Sequence, residues 1–461
     1  MVGFAGTALL AAALLVRCLC AGLGATALRV SDPETSPASA DLRATAASLQ
    51  ALLDKDDYLE FARRLPNAIG LRPEQEQYFA GTLAYREGRF KDVANPLIAA
   101  VQAHNSALTA SQIESAFEIL GQASVKTFLY GSSAKMYDDI DKLYGSRMGA
   151  GVEGIREKRH IGALLEHVPA ETVEISGDFS LPRTGAEYPV SIGGRSFSAQ
   201  LDTGASISLV AESTAKDWGV TLLDGTATLH GYGGGGFAAR PGLIPVLQIG
   251  KAELHNVVVF VTADQNLSIP EIKRQTHALP HTMPHALLGY PVASALGRLT
   301  FARDGGLTVT THPSASEQKS GAPMWIGDGS LLIALGTVPV IEGDRLLGGT
   351  ETRLFELDTG SGSTYLTDHY LAENRTRFSG EPTALARLAG LGGVHEVPAY
   401  VAQRLPLFFG NTPVLCTGQH VLTQPQGGEA ESYFGVVGQD VLQLFSSYTV
   451  DFRNMRFSVV P

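Results

Sequence analysis

A duplicated motif constrains this chain more than anything else in it. Gln200-Leu201-Asp202-Thr203-Gly204-Ala205 returns as Glu356-Leu357-Asp358-Thr359-Gly360-Ser361. A second landmark returns with it: Ala286-Leu287-Leu288-Gly289, followed by Val292 and Leu296, matches Gly435-Val436-Val437-Gly438, followed by Val441 and Phe445. Between the landmarks each copy carries a glycine cluster, His230-Gly231-Tyr232-Gly233-Gly234-Gly235-Gly236 in one and Gly390-Leu391-Gly392-Gly393 in the other. A single Asp-Thr-Gly marks an ordinary turn at a strand end, whereas two copies with the same landmarks in the same order mark a duplicated unit.

The chemistry of the motif follows from its residue types. An apolar strand running into Asp-Thr-Gly delivers a carboxylate at its end, and glycine permits a turn closed to residues with a Cβ. A threonine hydroxyl both donates and accepts, so Thr203 and Thr359 are suited to tying the two loops together with Gly204 and Gly360 supporting the turns. Two carboxyls held about one water apart cannot both ionise; they share a proton and their apparent acidities split. The sequence leaves open which aspartate starts protonated.

With these residues in view, the region from about 171 to 461 resembles the pepsin/retropepsin-type aspartic peptidases, with both lobes in one chain. The family's hydrophobic-hydrophobic-Gly element falls on Leu287-Leu288-Gly289 and Val436-Val437-Gly438. Ala205 is similar to retroviral-type enzymes at its position, and Ser361 to pepsin-type ones. The resemblance implies an all-β bilobal aspartic-protease fold of two related β-barrel-like lobes, with Asp202 and Asp358 as the catalytic pair acting on a water, and a protein or peptide substrate. It also implies a substrate-binding flap at Tyr232, Gly233 and Gly234, with Gly392 in its counterpart. A loop-tip aromatic is the plainer reading of Tyr232. No cofactor is implied.

The rest of the chain divides by composition. With 51 Gly and 23 Pro, turns and short strands are expected over much of it. Residues 31–40 form a Pro/Ser-rich spacer. Across 41–148 these residues are sparse, and apolar positions recur at three and four in Leu49, Leu52, Leu53 and in Phe117, Leu120, Val125, Leu129, predicting a small all-α domain. Gly81, Tyr85, Gly88, Phe90, Leu97 and Ala100, partly repeated by Leu120-Gly121, Ala134 and Tyr137, are spaced as in tetratricopeptide repeats; a plain helical bundle fits them equally. A linker helix over 149–170 leads to the first lobe at 171–312. The looser stretch 313–324 then precedes the second lobe at 325–461. Val190, Ile192, Gly193-Gly194, Phe197, Ala199 and Leu201 read as a hairpin with one buried face.

Residues 1–27 read as a secretory leader, an apolar run over 4–16 followed by the small-x-small Ala25-Thr26-Ala27, with 28–40 as a linker. The mature protein is then expected in a secreted or periplasmic location, without a stable membrane span after leader removal. Only Cys416 of the three cysteines would remain, which leaves no disulfide framework. A net charge of −11 and the lack of a Lys/Arg-rich run exclude a nucleic-acid partner.

Other motifs fall away on local grounds. Gly231-x-Gly233-x-x-Gly236 fits a dinucleotide fingerprint, yet Ala238-Ala239-Arg240-Pro241-Gly242 denies it a following helix. No phosphate loop and no Gly-x-Ser-x-Gly elbow exist. His277, His281 and His285 would line up on a helix, but Pro280 and Pro284 break it, and no metal site is expected. The rival to an enzyme is a secreted binding or assembly protein that keeps the two-lobed fold and uses the helical domain as a surface for a protein partner.

Overall fold

The computed structural model describes residues 37–103, 107–231, 236–267, 285–327, 329–337, 340–342, 345–347, 351–391, 393–425 and 433–461. The leader assigned to residues 1–27 lies outside them. Among the described residues no helix is long and apolar enough to cross a membrane. The chain forms two compact units, divided between Val168 and Pro169.

The first unit is helical: α1 (Pro37–Leu53), α2 (Tyr58–Arg64), α3 (Pro73–Arg86), α4 (Ala94–Gln102), α5 (Ala110–Lys126), α6 (Tyr130–Tyr144) and α7 (Val152–Leu164). Pro73 opens α3, where its missing N–H costs nothing, and Thr109 caps α5 by accepting from the Gln112 amide. Small residues bring successive helices together. A Cβ on Gly81 of α3 would lie 2.5 Å from Leu97 of α4, and one on Gly121 of α5 would lie 3.0 Å from the Tyr137 ring of α6. The turns between partners match as well. Arg89 N donates to the Ala84 carbonyl at 2.8 Å and Leu129 N to that of Ser124 at 2.7 Å, around left-handed residues Gly88 and Phe128. Two helix pairs are thus built alike. The second uses phenylalanine at φ 62°, where the first has glycine. The next helix, α7, packs its Gly162 against the Ala134 backbone of α6.

The second unit is built of strands. Tyr188–Ile192 and Arg195–Leu201 form the hairpin expected around Gly193-Gly194, both glycines at positive φ, with Val190, Ile192, Ala199 and Leu201 buried. Two arrangements then repeat. Strand Arg195–Leu201 pairs in parallel with Ala286–Leu288, which pairs antiparallel with Leu209–Ala211. Strand Glu351–Leu357 pairs in parallel with Gly435–Val437, which pairs antiparallel with Tyr365–Leu366. Each half also carries a long hairpin, Ala227–His230 with Gly236–Ile249 and Thr383–Gly390 with Gly393–Ala402.

Both halves contribute to one sheet. Its strands run in the order Phe179–Leu181, Leu307–Thr310, Arg298–Ala302, Ser447–Asp451, Arg456–Val460, Ala322–Ile326, and then on into Leu331–Thr337. At the junction Thr300 faces Thr449, hydroxyl to hydroxyl at 2.9 Å, and Phe301 stacks on Tyr448 with centroids 4.9 Å apart. Arg298 and Asp451 form a buried ion pair there at 2.8 Å. Asp451 also accepts from the Arg453 and Asn454 amides and from the Asn454 side chain, so its lone pairs are well used.

Candidate active site

Each Asp-Thr-Gly follows directly on a buried strand whose parallel neighbour holds it in place. Asp202 N donates to the Leu288 carbonyl at 3.0 Å, and Asp358 N to that of Val437 at 3.2 Å. Glycine after each neighbour is required by close approach: a Cβ on Gly289 would overlap the Ile207 carbonyl, and one on Gly438 would come within 2.7 Å of the Ser363 carbonyl. Gly289 N donates to Ser208 Oγ at 3.1 Å and Gly438 N to Thr364 Oγ1 at 2.9 Å. The following amides, Tyr290 N and Gln439 N, donate back to Ala205 and Ser361. Both loops are therefore closed by the same set of backbone bonds.

The two threonines join the loops across the halves. Thr203 N donates to Thr359 Oγ1 and Thr359 N to Thr203 Oγ1, both at 3.1 Å. Thr203 Oγ1 donates in turn to the Leu357 carbonyl at 2.6 Å, and Thr359 Oγ1 to that of Leu201 at 3.1 Å. Each hydroxyl thus accepts once and donates once, with Thr203 and Thr359 both buried.

This lattice puts the aspartates together. The Asp202 and Asp358 carboxyls are both buried and close enough to act on each other's proton affinity. Each lies against the other loop's glycine: a Cβ on Gly204 would sit 2.5 Å from the Asp358 carboxyl carbon, and one on Gly360 would overlap the Asp202 carboxyl. The backbone donors are uneven. Asp202 Oδ1 accepts from Gly204 N at 2.9 Å, whereas Asp358 Oδ1 accepts from both Gly360 N and Ser361 N at 2.8 Å.

Electrostatics follow that imbalance. Burial, then the charge of Asp358 and the hydrogen bond to it, push the Asp202 carboxyl well above the usual carboxylate range. Burial also raises Asp358, but the Ser361 amide, the hydrogen bond from Asp202 and the Gly360 amide hold it back. With two backbone amides aimed at it against one for Asp202, Asp358 has the surroundings that better suit an ionised carboxylate.

Of the residues expected to bind substrate, Tyr232, Gly233, Gly234 and Gly392 lie outside the described residues. Of their neighbours, Gly231 of the first cluster and Leu391 of the second come together: a Cβ on Gly231 would lie 2.5 Å from Leu391. Gly236 opens a strand, not a helix, which removes the dinucleotide reading. His277 and His281 lie outside the described residues, among which no group of three or more His, Cys, Asp or Glu could hold a metal. Cys416 is a free, buried thiol pushed up to about 12 by burial.

Several residues of the site have no motif of their own. Gln200 Nε2 donates to the Gly360 carbonyl at 3.4 Å, and Gln439 Nε2 to that of Thr359 at 2.8 Å. These two line part of a cavity of about 20 Å³ behind the second loop, room for one water. The offset of 156 residues that carries Thr203 onto Thr359 also carries Ser208 onto Thr364, so aligning the halves residue by residue finds the second pair.

Residues 188–292 match the family model described as aspartyl protease. That match contains the first Asp-Thr-Gly and its Leu287-Leu288-Gly289 partner. No curated protein matches the chain. Matching solved structures number 80 chains. One is a retropepsin-like aspartic protease from Rickettsia conorii, 18% identical, covering 31% of this chain and 97% of its own, with a TM-score of 0.20.

Proposed function

We propose that this chain is an aspartic endopeptidase in which Asp202 and Asp358, one from each half of a two-lobed β unit, activate a water against a peptide bond. The observation that carries the reading is the meeting of these two carboxyls, each against the other loop's glycine, between loops tied by Thr203 and Thr359. The aspartyl protease match over 188–292 supports it for the first half.

In this reaction the ionised Asp358 takes a proton from the water as its oxygen attacks the peptide carbonyl carbon. Asp202 gives its proton to the carbonyl oxygen as that carbon becomes tetrahedral. Collapse of the diol returns one hydroxyl proton to Asp202, while Asp358 passes the water's proton to the departing amine. Both carboxyls end as they began, with no covalent enzyme intermediate. Positioned proton transfer supplies about 10²–10⁴ of the rate, and holding an extended peptide in place supplies much of the remainder. The approach of Gly231 to Leu391, one from each glycine cluster, suits that holding role.

The finer parts of the reading rest on sequence. The apolar run over 4–16 and Ala25-Thr26-Ala27 support export to a secreted or periplasmic location. The two helix pairs with matching glycine contacts support a repeat-like domain that docks a protein, as substrate or partner.

Incubating the protein with a peptide library from pH 3 to 8, read by mass spectrometry, tests the proposal. Cleavage is expected for the wild type, to be lost in Asp202→Asn and Asp358→Asn while their far-UV spectra are unchanged. Cleavage that survives both substitutions, or a wild type that neither cleaves nor binds a pepstatin-like ligand, overturns it in favour of a binding protein.

A further inference from the structure

Asp358 draws its backbone donors from two consecutive peptide units, Thr359–Gly360 and Gly360–Ser361, whose N–H groups both reach its Oδ1 at 2.8 Å. A trans peptide is a rigid plane with its carbonyl and its N–H pointing in opposite directions, so a group that fixes the carbonyl also aims the amide. In this loop both carbonyls are held from behind by glutamine. Gln439 Nε2 donates to the Thr359 carbonyl at 2.8 Å, and the buried Gln200, from the first half, donates to the Gly360 carbonyl at 3.4 Å. Each donor also polarises the unit it holds, which strengthens donation by the N–H at its other end.

The two braces are themselves anchored. Gln439 N donates to the Ser361 carbonyl at 2.9 Å, its Oε1 accepts from Gln443 Nε2 at 3.3 Å, and its Nε2 also donates to the Tyr448 hydroxyl at 3.2 Å. Gln200 lies on the strand that runs into the first Asp-Thr-Gly, paired there with Leu287. The first loop has glutamine at neither matching position. Tyr290 stands where the second half has Gln439, and Glu356, which accepts from Ser330 Oγ at 3.0 Å, answers Gln200.

We propose, resting on the dyad reading above, that Gln439 and Gln200 are positioning residues: side-chain amides that brace two peptide planes of the second loop so that both N–H groups converge on one oxygen of Asp358. Converging donors favour the ionised carboxylate, the form a base needs. Through Gln200 the first half supplies part of the cradle for the second half's aspartate.

The titratable groups around this cradle are Asp202 across the pair, Glu356 two residues before Asp358, Asp440 beside Gln439 and bonded to Thr364, and Arg183, Tyr188 and Tyr448. The arginine and the tyrosines keep one protonation state from about pH 3 to 8.

The test uses Gln439→Met and Gln200→Met in the full chain, each keeping the length of the side chain and removing its donor. Three quantities are measured: the amide ¹H shifts of Gly360 and Ser361, the carboxyl ¹³C titration of the aspartates, and the pH profile of kcat/KM. Gln439→Met should move the Gly360 amide upfield more than that of Ser361, and Gln200→Met the reverse, with the smaller effect at the longer bond. The first ionisation of the pair, and with it the acid limb of the profile, should move up by about half a unit to one unit, a three- to ten-fold change in proton affinity. If Gln439→Met does not fold, Gln200→Met carries the test through the Ser361 amide. Amides or a titration that stay in place in a folded variant overturn the inference, including the case where kcat or the melting temperature falls. Shifted amides and a shifted titration in a protein that cleaves nothing support the bracing and overturn the hydrolase reading.

Discussion

The two halves of the β unit build one loop twice with the same backbone bonds, yet different side chains surround it. Asp-Thr-Gly, the apolar-apolar-Gly neighbour and the Ser208 or Thr364 hydroxyl are common to both. Gln200 is answered by Glu356, Ala205 by Ser361, and the buried Tyr290 by Gln439, which holds the Thr359 carbonyl. The shared parts are those that fix geometry. The parts that differ adjust hydrogen bonding around it, and Asp358 accepts from two backbone amides where Asp202 accepts from one. A symmetric scaffold thus supports an asymmetric pair, as acid-base chemistry needs.

That comparison breaks most completely at the glycines. Gly204→Ala and Gly360→Ala each drive a methyl into the other half's carboxyl, and both should lower kcat by about 10²-fold or more, since a displacement near 1 Å has that effect. A single-turnover assay measures it. Retention of activity by either variant would show that the halves do not need each other's carboxyl in place.

The threonine lattice comes next. Thr203→Val and Thr359→Val each remove a hydroxyl that accepts one amide and donates to one carbonyl, leaving buried groups unsatisfied. Each is expected to lose about 1–3 kcal/mol in urea unfolding. The double variant should lose less than their sum, because the two hydroxyls share one network. Additive losses would mean that the loops are held separately.

The smallest effect sharpens the contrast between the acids. A folded-state proton affinity raised above the unfolded value contributes stability that is complete below about pH 4 and is lost as pH rises through the folded value. Asparagine cannot ionise, so Asp202→Asn should melt above the wild type at pH 7 to 8, with the gap closing toward pH 4. Asp358→Asn should show the same trend more weakly, as its carboxyl is raised less. Thermal melts across pH decide, and a larger gain for Asp358→Asn would reverse the assignment of the proton.

The glycines of the two loops were legible in the sequence because a Cβ there would strike the facing loop, and the aspartates because each precedes such a glycine in both copies. Gly193-Gly194 was legible for another reason, a turn at positive φ. Gln200, Glu356 and Gln439 were not, because a polar residue in a strand reads alike whether it faces water or a neighbouring carbonyl, and only the fold decides. Phe128 illustrates the converse. It occupies a left-handed turn that its helical counterpart marks with Gly88, so the repeat of helix pairs was obscured at the residue that would have announced it. The pairing of 298–302 with 447–451 joins segments 149 residues apart at Thr300 and Thr449, beyond the reach of local pattern.

That shared sheet has a consequence for biosynthesis. Arg298–Ala302 pairs at once with Leu307–Thr310 but gains its second neighbour only when Ser447–Asp451 has left the ribosome, and Arg298 stays without its counter-charge until Asp451 arrives. Translation must therefore run nearly to the last strand before the shared sheet can close.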